Sequence, residues 1–517
     1  MGNARKWVSA TAVFALMAIG HALGVDGFGI SVFEEKRESG KSEFGAKGPT
    51  MRNSNESQRE YVLEVISLGV TIEKYRQDKV WDALTRGSAH TSIREQDPQK
   101  YPWTRMDKLG LSGGRISDAI ENAVKFTPYL WNVPSMYAGS TPANPDFRAN
   151  EYDEPLAGPI SGAEQMGLAF HLIVIGPWRE ADSPDQLLAD VFDFMDSHPD
   201  LPYVIVSSAD STSMRDQSRL PRTPRLIEEG YSIPSMPDSA AAFVLARRER
   251  VDPVRPYVWD DPQNNYCNDR LRMFYYDVAE KVPKLISSTW AGRNQPMVKE
   301  WLPAAAKFAQ TAPRGGLFKP GPPKDWKPTP WFPIPWTREQ LSAFDRLPTL
   351  GYLHRPVFVK YQDAQGKAVH HIDDRAKLLN QGWQQALLTL PESERKHGPA
   401  RVIAATGEKK DGSILLHRLL HDYAQSGGPA IDTSKTSQFI DMQDRIGNTG
   451  AATFFVGAAI GVLGSVKEGG VSAVINLRDP DGASIVFISP PNDANRKRAD
   501  LTNRVMPAIN LDDYAHP

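Results

Sequence analysis

From residue 61 onwards, apolar residues come in short runs separated by amphipathic stretches. Residues 61–70 are rich in β-branched side chains and predict a strand, and 79–84 follow at helical spacing. Residues 161–175 predict a small-residue helix that passes into apolar sequence. Residues 185–196 predict an amphipathic helix ending before His198 and Pro199. Residues 202–208 and 240–246 are continuous apolar runs of the kind that buried central strands show. Helices alternating with such strands predict an α/β layered core.

The pattern changes at 252–344. Residues 320–336 crowd prolines around Trp326, Trp331 and Trp336, a composition that favours extended backbone and predicts an insertion wrapped over the surface. Alternation resumes with an apolar run at 350–359, a helix over 375–390 and a strand at 400–404. Residues 473–477 and 484–488, joined through Asp481 and Gly482, predict a hairpin. The organisation read from the sequence is therefore a hydrophobic signal or anchor segment (1–30), a polar linker (31–60), an N-terminal α/β half (61–251), a Pro/Trp-rich insertion (252–344), a C-terminal α/β half (345–490) and a frayed polar tail (491–517).

With 40% hydrophobic and 24% charged residues the chain has the composition of a folded protein, and a formal net charge of -2 offers no general attraction to nucleic acid. One cysteine, Cys267, excludes an intramolecular disulfide and a cysteine-rich metal site. Arg5 and Lys6 precede an apolar run over residues 7–25, long enough to span a bilayer. Three readings stay open: an anchor, a signal cleaved near Ala22, or a helix that docks on the protein.

Candidate chemistry is sparse. Gly110, Ser112 and Gly114 match the Gly-x-Ser-x-Gly elbow, but that turn needs a buried strand before it and residues 103–109 are too polar. Ser112 is read as part of a flexible turn or helix cap. His417 and His421 share a helix face without the glutamate of a zinc-protease helix or a third ligand, and His370 and His371 are read as a surface pair. Gly113-Gly114 and Gly469-Gly470 are too short for phosphate loops. The tryptophans of the insertion fit either a partner-binding surface or a clamp that holds the insertion down.

Residues 445–464, a glycine-rich turn running into a small-residue helix, resemble the C-terminal active-site segment of β-ketoacyl synthases, with Asn448 where a histidine is expected. Residues 158–163 resemble the turn that carries the nucleophilic cysteine, with Pro159 or Ile160 in its place. Residues 405–411, including Thr406, resemble the loop of a further histidine and contain none. The resemblance implies a thiolase-like fold of two similar halves whose catalytic residues are missing. Residues 61–76, 92–103, 245–252 and 350–356 resemble the type VI lipase adapter family, with the likeness extending over about 61–490. It implies a bacterial adapter that binds a phospholipase effector and helps load it onto the secretion spike. It implies no catalytic residue, cofactor or metal. Thiolase-like relatives dimerise through strand edges, so a homodimer is a further expectation. An adapter meets its partners in the cytoplasm, which places the body there with membrane association through residues 7–25; a periplasmic body is the alternative. The rival functions are an acyl- or lipid-acting enzyme, of serine-hydrolase or condensing type, and an acyl-binding sensor.

Overall fold

The first β-branched run forms strand β1 (Val62–Ile72), followed by β2 (Tyr75–Arg76) and helices α1 (Asp78–Thr85) and α2 (Arg105–Val124). The N-terminal half continues through β3 (Asn132–Gly139), β4 (Ile160–Ala163), β5 (His171–Glu180), α3 (Gln186–Ser197), β6 (Tyr203–Asp210), α4 (Thr212–Gln217) and β7 (Ser239–Ala246). Helices α5 (Arg272–Lys281), α6 (Val298–Thr311) and α7 (Arg338–Arg346) lie in the connecting region. The C-terminal half contains β8 (Gly351–His354), β9 (Val357–Lys360), α8 (Ile372–Leu387), α9 (Glu392–His397), β10 (Arg401–Ala405) and α10 (Lys410–Gln425). It ends with β11 (Phe439–Asp441), α11 (Met442–Arg445), α12 (Thr453–Glu468), β12 (Ser472–Asn476), β13 (Gly482–Ser489) and α13 (Asp493–Arg498). The computed structural model describes residues 62–128, 132–145, 160–163, 171–260, 272–281, 296, 298–311, 323 and 325–503. The segment 7–25 lies outside them.

The strands form one sheet in the order β11-β10-β12-β13-β8-β1-β7-β6-β3-β5-β4, and that order contains the same unit twice. In chain order, β1, β3, β5, β6 and β7 are arranged 3-2-4-5-1, and β8, β10, β11, β12 and β13 repeat that arrangement. In each set the last strand runs antiparallel to the other four. The two first strands, β1 and β8, pair antiparallel across the junction, with Leu63 opposite Leu353. This doubled order is the layout of a thiolase-like α/β fold.

Helix α12 sits at the junction, packed on β10, β12 and β13 of one half and on β1, β6 and β7 of the other. All its residues from Thr453 to Val466 are buried. Its small residues allow this, since a Cβ at Gly461 would lie 2.5 Å from Ile488 and one at Gly464 would lie 2.7 Å from the Trp81 ring. Among the described residues it provides the one helical segment long and apolar enough to cross a membrane, and it is core. A second apolar cluster lies under α8 and α10, with Trp383 and Leu416 at its centre.

Three expectations need correction. The helix expected over 161–175 is replaced by strand at both of its described ends. Residues 160–163 and 171–180 are strands, because pairing of β5 with β3 and β4 supplies partners that a short apolar run accepts as readily as helical ones. The Pro/Trp segment is not only a surface wrap, since Trp331 and Trp336 are fully buried. Trp331 lies edge-on to Phe194 at 5.9 Å and Trp336 packs on Phe344 at 5.2 Å, so these rings act as a clamp. The chain after 490 also retains order through α13 and the buried Leu501, whose carbonyl accepts from the Asp78 N–H.

Candidate functional site at the junction of the two halves

The parallel strands of the two halves end in loops near the junction, the edge at which α/β sheets commonly bind ligands. Asp210 ends β6 and is fully buried. Its carboxylate accepts from Arg215 (Nη2, 2.8 Å), from the Ser211 N–H (2.9 Å) and, across the junction, from the Ala451 N–H (2.8 Å). Ala451 lies in the 3-10 turn that leads into α12. Gly450 in that turn has φ +56, and a Cβ there would lie 2.0 Å from Asp210 Oδ2, so only glycine fits.

Arg478, in the β12–β13 hairpin, reaches the same turn. It donates to the Gly450 carbonyl, to Thr453 Oγ1 and to Asn448 Oδ1, the last at 3.1 Å. Burial pulls its guanidinium below the ordinary value, opposed by the charges of Asp185 and Asp210. Asp185 stands at the N-terminus of α3, yet its side chain makes no capping bond. It accepts instead from Asn476 Nδ2 (2.8 Å) and Ser484 in the other half. Burial raises its carboxyl above the usual range, and those two hydrogen bonds oppose the shift. A neighbouring network joins Arg115 to Glu73 and Asp238, each at 2.8 Å.

Asn448 and Thr406 both reach this region. Asn448 accepts from the Gly450 N–H, and Thr406 donates to Asp441 at the end of β11. Arg478 lies between their loops, 3.4 Å from where a Cβ on Gly407 would be. At the third expected position, Pro159 lies outside the described residues and Ile160 opens the edge strand β4. Under the internal two-fold, the counterpart of α12 is α3, since each follows the third strand of its half. The equivalent N-terminus is therefore at 182–185. Asp185, Asp210 and Arg478 were missed because nothing local marks bonds between residues 185 and 476 or between 210 and 451.

Ser112 is inside α2, not in a turn or cap, and its hydroxyl lies 3.1 Å from that of Ser211. Thr104 caps this helix through the Asp107 N–H, which starts it too early for a strand-to-helix elbow. His417 and His421 are exposed on α10, His370 and His371 are exposed near α8, and no metal-holding cluster occurs among the described residues. None of the junction residues Asp185, Asp210, Arg478, Asn448, Thr406, Thr453, Asn476 and Ser484 is a cysteine, histidine or lysine.

His354 is buried. Its Nδ1 lies 2.9 Å from the Thr389 carbonyl and its Nε2 lies 2.7 Å from Ser489 Oγ, which also bonds Glu394. The carbonyl requires a proton on Nδ1, which leaves Nε2 of the neutral ring facing Ser489, whose own proton goes to Glu394. Burial lowers its pKa from 6.5 to about 4. Stability from this neutral histidine is thus present above pH 6.5 and is lost as pH falls towards 4. Relative to His354→Gln, wild-type stability is expected to drop by about 3 kcal/mol between pH 7 and pH 4. Urea unfolding of both proteins across that range checks it; parallel pH profiles would refute it.

Residues 61–229 match the family described as type VI lipase adapter protein Tla3, N-terminal, and residues 350–490 match its C-terminal counterpart. Together the two matches span more than half of the chain. The chain belongs to the type VI lipase adapter family. Solved structures similar to this adapter include a ketosynthase from module 1 of the bacillaene synthase of Bacillus amyloliquefaciens, 11% identical, covering 83% of this chain and 76% of that one, with a TM-score of 0.38. Another is the 3-oxoacyl-[acyl-carrier-protein] synthase III of Aquifex aeolicus, 11% identical, covering 83% and 99%, with a TM-score of 0.32. Cerulenin-bound OleA of Xanthomonas campestris is 10% identical, covering 83% and 96%, with a TM-score of 0.34. Superpositions this loose carry nothing about activity; the doubled strand order of the adapter is what defines its fold.

Proposed function

We propose that this adapter works without catalysis of its own, holding a type VI phospholipase effector by protein–protein contacts and passing it to the secretion spike. The observation that carries this reading is the family match. The strand-end network is consistent with it: Arg478 bonds Asn448, Asp210 bonds the turn before α12, Asp185 bonds Asn476 and Ser484, and none forms the nucleophile–base pair that acyl chemistry needs. In this reading the ketosynthase-type site is degenerate, and its polar groups lock the two halves. The body works in the cytoplasm, with residues 7–25 available for membrane association.

Purified adapter mixed with a type VI phospholipase is expected to form a stoichiometric complex that a spike protein then joins, with no turnover of acyl esters or acyl thioesters by the adapter alone. Hydrolysis or condensation by the adapter that disappears in Ser112→Ala or His354→Ala, with both variants folded, would replace this reading with the enzyme. An alkaline phosphatase fusion at the C-terminus tests location, and robust phosphatase activity would place the body in the periplasm.

A further inference from the structure

Large apolar side chains that stay exposed gather on one surface. Trp103 (55% exposed) and Met106 (59%) lie at the start of α2, and Leu220, Leu226 (55%), Tyr231 and Ile233 lie on the loop that faces it. The Trp103 ring stands edge-on to Tyr231 at 5.0 Å. A folded protein rarely leaves so many large apolar groups together in water unless something covers them.

The surface is held rigid from beneath. Lys108, itself buried, donates to the Glu228 carbonyl (2.8 Å), the Gly230 carbonyl (2.6 Å) and Ser232 Oγ (3.0 Å). Fully buried Asp216 accepts from the Leu226 N–H at 2.6 Å and from Arg105 at 2.7 Å. The Gly230 N–H donates to the Trp103 carbonyl at 2.8 Å. The loop therefore cannot readily turn its apolar side chains inward, and a partner has little ordering entropy left to overcome.

Charge decides what fits. Arg222 and Arg225 are exposed and have no ion pair among the described residues, while Glu228 and Glu229 are exposed on the same loop. An anionic membrane would attract the arginines and repel the two glutamates a few residues away, whereas a protein face can match both signs. Tryptophan, tyrosine, methionine and arginine are also the residues that concentrate binding energy in protein interfaces.

We propose that this surface, centred on Trp103 and Tyr231 and rimmed by Arg222 and Arg225, is where the adapter docks the lipase effector, through an apolar patch on the lipase bordered by carboxylates opposite the two arginines and by basic side chains opposite Glu228 and Glu229. It rests on the adapter reading above. The test measures binding of a purified, catalytically inactivated type VI lipase from the same bacterium to wild-type adapter, to Trp103→Ala/Tyr231→Ala and to Arg222→Glu/Arg225→Glu. The aromatic pair is expected to weaken binding by about 100-fold and the charge reversal by about 10-fold, with a flattened salt dependence. Ile414→Ser, on the exposed side of α10, is expected to change nothing. If the aromatic double variant misfolds, Met106→Ser/Leu226→Ser replaces it, since both of its side chains are exposed.

Unchanged lipase binding by folded patch variants overturns this inference and leaves the adapter reading standing. Failure of the wild-type protein to bind the lipase overturns both. Two other outcomes also overturn it, each with lipase affinity intact: patch-dependent binding to vesicles containing phosphatidylglycerol, or patch-dependent self-association in sedimentation.

Discussion

Replacing Arg445 with alanine is expected to destabilise the protein by about 4 kcal/mol, among the largest effects of any single substitution outside the apolar core. The side chain is only 1% exposed. Its guanidinium donates to the carbonyls of Ala83 (3.2 Å), Leu84 (2.9 Å), Arg86 (2.9 Å), Ser88 (2.6 Å) and Thr91. Those carbonyls are at the C-terminal end of α1 and in the loop after it, where a cation also complements the helix dipole. Alanine would leave several of them buried without donors. Lysine has a compact charge and cannot span five acceptors, so Arg445→Lys should recover less than half of the loss. Urea unfolding of the three proteins checks this; a loss below about 1 kcal/mol for alanine would mean that water replaces the guanidinium freely. The contact matters beyond α1, because Arg445 belongs to the C-terminal half. Together with the ion pair from Lys467 to Asp82 it fastens α1 to that half.

Asp210→Ala is expected to cost about 4 kcal/mol as well, by a different route. The substitution strips the acceptor from the Ser211 and Ala451 N–H groups, both inside the junction, and releases Arg215 towards solvent. Asp210→Asn keeps the shape but turns an amide NH₂ towards donors, so about half of the cost should remain. Because the Ala451 bond holds the turn entering α12, amide exchange at 450–453 should quicken in the alanine variant more than at β10 or β12. Uniform exchange across both halves would show that Asp210 stabilises only its own half. If the adapter reading holds, lipase binding measured below the unfolding transition should change little in this variant, since the patch around Trp103 is bonded to α2 and to Asp216 of α4 and not to α12.

Much of the fold was legible in advance. β1, β6, β7, β10 and the β12–β13 hairpin follow from runs of β-branched and apolar residues whose identity as strands depends little on context. The helices α3 and α8 follow from their periodicity. The likeness at residues 445–464 put the small-residue helix in the right place, because glycine spacing records how closely that helix must approach its neighbours. Where the reading failed, local sequence was compatible with two outcomes. Residues 161–163 and 171–175 could satisfy their backbone as helix or strand, and the pairing of β5 with β3 and β4 settled it. Residues 110–114 carry glycines that suggest a turn, yet they continue a helix that Thr104 caps and that β1 receives, a Cβ at Gly69 being 1.6 Å from the Ala119 carbonyl.

What the sequence alone determined, then, is the set of elements and the family to which they belong, since both are written in residue types at short spacing. The tertiary structure decided which charges meet. Asp185 finds Asn476 and Ser484, Asp210 finds Ala451, and Arg445 finds the end of α1. Each of these pairings joins residues hundreds of positions apart, brought together by the antiparallel pairing of β1 with β8 and by a buried helix between the halves, and no local preference for helix, strand or turn encodes such a meeting.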